Sequence, residues 1–272
     1  MPEAEASAAE GRIVHIAAQD DLKLVARLFG RPDPRRLPVL CLAGLSRNSR
    51  DFIALGQYLA DRAGDSRFVA ALDSRGRGLS ASDRRWQNYS PLVETQDAMA
   101  AAAALGIEKS VIVGTSRGGI LAMIIGALRP GLLAGVVLND IGPVIEGTGL
   151  ARIKKYLSNR RLPQSWQEAI GAVKRINQAH FPGLDEADWQ AMAEATFMET
   201  NGALAPRFDP NLLKMVDGID LETALPVLWS QFDSLAGVPV LSIRGENSDI
   251  LRPETVDAME LRHPHFERLT VP

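Results

Sequence analysis

One cysteine, Cys41, stands in a chain of 272 residues. A single thiol excludes an intrachain disulfide and any cysteine-built metal cluster. Set in the apolar run VLCLAG, it reads as a small buried hydrophobe and fits a reducing, cytoplasmic compartment. Charge of one sign is missing too. Thirty Lys and Arg against 33 Asp and Glu leave a net charge of −3, which gives no case for nucleic acid or an anionic membrane as partner. No apolar run approaches the roughly 20 residues of a membrane span. The opening PEAEASAAEG has neither a basic n-region nor an apolar h-region, so residues 1–10 are expected to be a frayed tail and not a signal peptide. No metal-ligand cluster or glycine-rich phosphate cradle is visible, so no metal and no cofactor are expected. Histidine is scarce, with four in the chain: His15, His180, His263 and His265. What remains is ordinary globular material, 46% hydrophobic and 23% charged, long enough for a large core without staples. The densest basic stretch, 152-RIKKYLSNRR-161, reads as a solvated helix face, with an anion-binding surface as the alternative.

Hydrophobic grammar divides the chain. Residues 12–18 and 22–29 read as an antiparallel hairpin. Short apolar strands then alternate with helical patterns: strands at 38–43, 67–73, 110–115 and 134–139, helices at about 50–62, 92–105 and 117–129. Continuous apolar strands separated by helices imply a doubly wound, mostly parallel α/β sheet. The alternation stops after 139-NDIGP-143. Residues 144–224 show helical patterns and no good strand, with a capping-box signature at Ser165 and Glu168 and a weaker one at Asp185 and Asp188. The βα grammar resumes with a helix at about 225–235, a strand at 238–243, a helix at about 253–262 and a strand at 266–271. The expected organisation is one α/β core of residues 11–143 and 225–272, carrying a helical cap inserted at 144–224.

The chemistry is concentrated in 111-VIVGTSRGGILAM-123. Gly114-Thr115-Ser116-Arg117-Gly118 follows a strand and opens a helix, the context in which G-x-S-x-G places a nucleophilic serine on a sharp, strained turn. Small neighbours let the backbones approach closely. The helix directs its first amides at developing negative charge. An oxyanion hole needs two such donors. The backbone N–H of Arg117 is one, and the N–H of Leu45, in the loop 43-AGLSRNSRDF-52, is the other.

Together with 73-DSRGRGLS-80 and 244-RGENSDIL-251, these segments make the chain resemble the α/β-hydrolase superfamily, in its capped serine esterase- or lactonase-like branch. The resemblance covers nearly the whole chain and implies an acyl-serine mechanism. It assigns Asp73 and Arg75 to shaping the rim of the site. It implies Asp249, after the strand 238–243, as the acid that orients the catalytic imidazole, with Asp140 as the alternative. Two departures stand out. Ala43-Gly44 replaces the family's frequent His-Gly, and the residue after the nucleophile is Arg117 where an apolar one is usual. The Arg117 side chain either pairs with a nearby acid or attracts an anionic substrate.

In a sheet of this kind chemistry collects at the carboxyl ends of the strands, so the base should follow the strand 266–271. His263 and His265 precede it, roughly 20 Å from its far end at 3.3 Å per residue. His15 lies in the first hairpin. His180 closes a helix of the insertion, where it is expected to touch substrate more than to deprotonate Ser116. The resemblance implies a histidine a few residues past Pro272. Arg117, Trp166, Trp189 and His180 are the candidate substrate contacts, although Trp166, Trp189, Met192, Phe197 and Met198 also have the spacing of residues that pack a cap onto a core.

Two classes of function stay open at this point. One is a serine hydrolase of a small-molecule ester, lactone or related acyl bond. The other is a non-enzymatic binding protein on the same fold, disfavoured by the complete elbow, Asp249 and oxyanion loop. Within enzymes, carbon–carbon bond hydrolases and perhydrolases share these motifs, whereas Ser116 disfavours dehalogenases and epoxide hydrolases, which use an aspartate nucleophile. Fold does not choose among them. The sequence does not define an oligomeric state.

Overall fold

The structure, a computed structural model, describes residues 10–158, 161–218 and 225–272. Parts of the expected tail (1–9) and of the expected insertion (159–160 and 219–224) lie outside the described residues. An antiparallel hairpin of β1 (Arg12–Ala17) and β2 (Lys23–Phe29) leads into β3 (Val39–Leu42), β4 (Val69–Asp73), β5 (Ser110–Thr115), β6 (Leu133–Asn139), β9 (Val240–Gly245) and β10 (Phe266–Val271). Together they form one eight-stranded sheet in the order β1-β2-β4-β3-β5-β6-β9-β10. Only the β1–β2 and β2–β4 pairings are antiparallel. The six strands from β4 to β10 are parallel, so their carboxyl ends share one edge.

Alternate strand residues feed opposite faces. Val39, Cys41, Val69 and Ala71 face α1 (Ile53–Asp61). Leu40, Leu42, Ala70, Leu72 and Ile112 join the larger core. That core also takes in residues of α2 (Pro91–Ala104), α3 (Arg117–Leu128), α8 (Trp229–Asp233) and α9 (Pro253–Arg262). Because β3 and β4 are buried on both faces, they read as unbroken apolar runs. The expected helix at about 225–235 is shorter, Trp229–Asp233. The chain there is tied by the Leu228 amide, which donates to the Pro143 carbonyl at 2.7 Å.

Between β6 and α8 lie α4 (Gly147–Leu157), α5 (Trp166–Asn177), α6 (Glu186–Thr196), β7 (Phe197–Thr200), β8 (Ala203–Pro206) and α7 (Leu212–Asp217). Both sequence caps form. Ser165 accepts from the Glu168 amide at 3.2 Å, and Asp185 and Asp188 make a reciprocal box at 2.9 and 3.0 Å. The expectation of a segment without strands is corrected by β7 and β8, which pair antiparallel. Their turn is Asn201-Gly202, both with positive φ (54° and 77°), the dipeptide and geometry of a tight hairpin. Trp166, Ile170 and Met192 pack on Ala169, Val173, Ala193, Phe197 and Leu204, a small core separate from that of the sheet. Among the described residues no helix is long and apolar enough to cross a membrane.

Candidate active site

β5 delivers Ser116 to the carboxyl edge of the sheet in a strained conformation, φ 48° and ψ −113°. A non-glycine residue held there costs about 1–3 kcal/mol. The strain persists because its surroundings leave no other path. A methyl group on Gly114 would lie 2.5 Å from the Gly118 carbonyl oxygen, and one on Gly118 would lie 2.0 Å from that of Leu42. β3, β5 and α3 therefore close around the turn at backbone contact. Ser116 occupies the cap position of α3, yet its hydroxyl makes no capping hydrogen bond. Its amide donates to the Asn139 carbonyl at 2.9 Å, which fixes the turn to the end of β6.

The loop after β3 passes beside this serine, since a methyl built on Gly44 would lie 3.8 Å from the Ser116 Cβ. Leu45 follows. Arg117, the first residue of α3, carries an amide with no partner inside its helix. The Arg117 side chain turns to the protein: Nε donates to Glu94 at 2.8 Å and Nη2 to the Tyr89 carbonyl at 3.0 Å. Of the two uses open to it in the sequence, this is pairing with an acid. Glu94 also takes Arg77, Nη1 to Oε1 at 2.7 Å, and Arg77 Nε donates to the Leu45 carbonyl at 2.8 Å. One buried carboxylate thus links the side chain of Arg117 to the backbone of Leu45. Burial would raise the Glu94 pKa, but Arg77 and Arg117 outweigh it and hold the carboxyl below its ordinary range. Two guanidiniums to one carboxylate leave this network with a net positive charge.

The 73–80 segment is occupied with structure. Asp73 accepts from the amides of Ser49 at 2.6 Å and Leu79 at 2.9 Å. Arg75 forks onto Asp97, both bonds at 2.7 Å, and reaches Asp83 at 2.5 Å and Asp20 at 3.0 Å.

The two candidate acids differ sharply. Asp249, on the loop after β9, is held by Arg152 of α4 in a bidentate pair, 2.7 and 2.9 Å. This hydrogen bonding lowers its pKa against a modest opposing effect of burial. Asp140, directly after β6, has a left-handed backbone, φ 53°. Its amide donates to the Ile243 carbonyl at 2.7 Å. Its Oδ1 is buried with no hydrogen-bond partner. Burial pushes its pKa up, against hydrogen bonding from Ser248 and the Gly245 amide.

The other expected site residues have partners of their own. His180 Nδ1 meets the Asn247 carbonyl at 3.0 Å, so His180 and Arg152 both seat the insert on the 246–252 loop. Trp189 is 2% exposed and Trp166 packs in the insert's own core. Trp189 is thus enclosed by protein, whereas Trp166 is only partly buried and keeps some surface open. His263 Nε2 lies 3.0 Å from the Leu235 carbonyl, and the His265 amide donates to His263 Nδ1 at 3.1 Å. His15 is exposed on edge strand β1. None of these histidines is brought to Ser116 by the hydrogen bonds among the described residues. β10 ends beside the 246–252 loop, with Val271 level with Gly245 and its carbonyl accepting from the Glu246 amide at 2.7 Å.

Sequence reading missed Glu94, Arg77 and Arg152. A signal for the first existed: Glu94, Asp97, Ala98 and Ala101 share one stripe of α2, and all four are buried. Acidic residues on an apolar helix face require cations opposite them, and Arg75 and Arg77 supply these.

A serine on a strained strand-to-helix turn, above the centre of a mostly parallel sheet whose sixth strand leads into an inserted segment, defines the architecture of the α/β hydrolases. The family model described as the alpha/beta hydrolase family matches residues 39–267, and the chain belongs to that family. An alpha/beta hydrolase from Novosphingobium aromaticivorans is 36% identical, with a TM-score of 0.88 over 97% of this chain and 90% of that one. The 3-hydroxybutyrate-oligomer hydrolase of Cupriavidus necator is 29% identical over 88% of this chain and 83% of its own length. The mouse sn-1-specific diacylglycerol lipase ABHD11 is 26% identical over 86% and 73%.

Proposed function

We propose that this hydrolase cleaves a carboxylic ester of a small or medium, partly apolar acid through an acyl-Ser116 intermediate. The observation that carries the reading is Ser116 itself: a strained residue whose hydroxyl caps no helix, set beside Gly44-Leu45 and the free first amide of α3. Ser116 Oγ attacks the acyl carbonyl. The amides of Leu45 and Arg117 receive the oxyanion, and the net positive Arg77–Glu94–Arg117 network lies behind them. The alcohol leaves, and water then releases the acid from the serine.

A serine needs a base. The reading gives that role to a histidine imidazole oriented by an acid. Asp140 is the better acid for that imidazole, because one of its oxygens is uncommitted while both oxygens of Asp249 are held by Arg152. Residues 144–224 act as the cap, and substrate enters at its junction with the sheet. Two relatives point to the same bond, since an oligomer of 3-hydroxybutyrate and a diacylglycerol are both carboxylic esters.

The test uses the full-length gene product. It should take a fluorophosphonate probe on Ser116, located by peptide mass, and hydrolyse p-nitrophenyl butyrate and the 3-hydroxybutyrate dimer. Ser116→Ala should lose both. A folded full-length protein that labels on no serine and cleaves neither ester would overturn the reading.

A further inference from the structure

Away from the serine, a cavity of about 190 Å³ opens where the N-terminal segment, the sheet and the insert meet. Three arginines line it: Arg27 from β2, Arg50 from the turn before α1, and Arg207 just after β8. The acids lining it are Glu10 and Asp73. Neither Ser116 nor either candidate oxyanion donor lines it.

The charges do not balance. Both oxygens of Asp73 already accept backbone amides, from Ser49 and Leu79. Glu10 grips Arg50 with both oxygens at 2.9 Å and lies 3.7 Å from Arg27 Nη1. Arg207 donates Nε to the carbonyls of Glu194 and Phe197, each at 2.8 Å, and among the described residues no carboxylate lies within salt-bridge distance of it. Three cations thus face two carboxylates. Burial, and then the neighbouring Arg50, pull the Arg27 and Arg207 pKa values down. That is the signature of crowded positive charge in a partly dry place.

The Glu10 carboxylate shows which chemistry fits. It meets the planar fork of Arg50 in the two-point geometry that guanidinium offers a carboxylate. Its side chain is 49% exposed, and an ion pair of that exposure is held weakly enough to exchange. We propose that this cavity binds a small organic acid, whose carboxylate replaces that of Glu10 on Arg50 and Arg27 and whose far end reaches Arg207. The size limits the ligand, because cavities for drug-sized molecules start at about 300 Å³. A short dicarboxylate answers both the volume and the spread of cations.

The position gives the site a consequence. Asn48 and Ser49 line the cavity and follow the loop that carries Leu45. Asn48 also donates to the Ala195 carbonyl at 2.7 Å. An occupant touches the insert through Arg207 and the loop beside Ser116 through Ser49. The proposal does not depend on the ester-hydrolase reading, because binding is measured without turnover.

The experiment is calorimetric titration of the full-length protein with succinate, against sodium chloride at matched ionic strength to remove general screening. Inorganic phosphate is the comparison anion. Succinate should bind at one site per chain. Glu10→Gln should tighten binding about fivefold, because it removes a self-ligand that holds the competent state at a minor population. Arg207→Gln should weaken binding about tenfold. Arg50→Gln serves as the second variant if Arg207→Gln fails to fold, and should weaken binding as much. Lack of succinate binding in both the native protein and Glu10→Gln overturns the site. So does a folded arginine variant that binds as tightly as the native protein. Phosphate binding tighter than succinate overturns the carboxylate assignment.

Discussion

Two aspartates on neighbouring strands, at the same edge of the sheet, live in opposite conditions. Asp140 sits in a left-handed backbone with a buried, unpartnered oxygen and a pKa pushed up by burial. Asp249 sits at the seam with the insert, 28% exposed, with both oxygens on Arg152 and a pKa held down. The first corner carries strain and an unmet hydrogen bond, and the second is relaxed and neutralised. Strained residues and orphaned buried groups in native proteins concentrate where a ligand or reaction completes them. A carboxylate already forked onto an arginine has little left for an imidazole.

The sharpest way to break this contrast is to remove each charge in turn. Asp140→Asn should lower kcat on p-nitrophenyl butyrate by about 10⁴-fold, the scale expected when the orienting acid of a triad is lost. Asp249→Asn should change kcat by less than about tenfold. The reverse ranking, in folded full-length proteins, would falsify the assignment of Asp140 and return the role to Asp249.

The next largest effect lies under the proposed oxyanion donors. Glu94 is fully buried between Arg77 and Arg117. Glu94→Gln leaves buried guanidiniums without their counter-charge and should destabilise the protein by about 3 kcal/mol. It should also lower kcat by about tenfold to a hundredfold with KM little changed, since Arg77 holds the Leu45 carbonyl and the oxyanion is present only in the transition state. The double variant Glu94→Gln, Arg77→Met separates the two roles. It should recover much of the stability while kcat stays low. Recovery of both would mean that the network supports the fold and not the position of Leu45.

The elbow was legible because its constraints are local: Gly114 and Gly118 sit at fixed offsets from Ser116, and each is required by a backbone within 2.5 Å of its missing side chain. The parallel sheet was legible because β3 and β4 are buried on both faces. The β7–β8 hairpin was also written locally, in Asn201-Gly202, but the helical pattern of 185–198 ran into its first strand and masked it. The choice between acids could not be read in this way. What sets Asp249 apart from Asp140 is Arg152, 97 positions away, in a stretch whose periodicity showed only a polar helix face. Arg117 likewise depends on Glu94, 23 positions earlier. Long-range charge pairing leaves no spacing rule in a single sequence.

The smallest effect is the most diagnostic, because its sign differs between the two aspartates. A raised carboxyl pKa means that the fold disfavours the ionised form. For Asp140 this penalty is present in full above its raised pKa and absent below the ordinary value of 3.8. Asp140→Asn should therefore raise Tm at pH 7 by about 2 °C, even as it removes activity, and the gain should vanish as the native Asp140 protonates. For Asp249 the folded pKa is lowered, so its pair with Arg152 stabilises above 3.8 and is lost as pH falls through the lowered value. Asp249→Asn and Arg152→Gln should each lower Tm at neutral pH, by no more than the 0–1 kcal/mol of a partly exposed pair, and the loss should shrink toward nothing in acid. Thermal melts of the three variants between pH 3 and 8 decide it. If all three shift Tm in the same direction at pH 7, the two aspartates do not differ in the way their surroundings imply, and the case for Asp140 loses its physical basis.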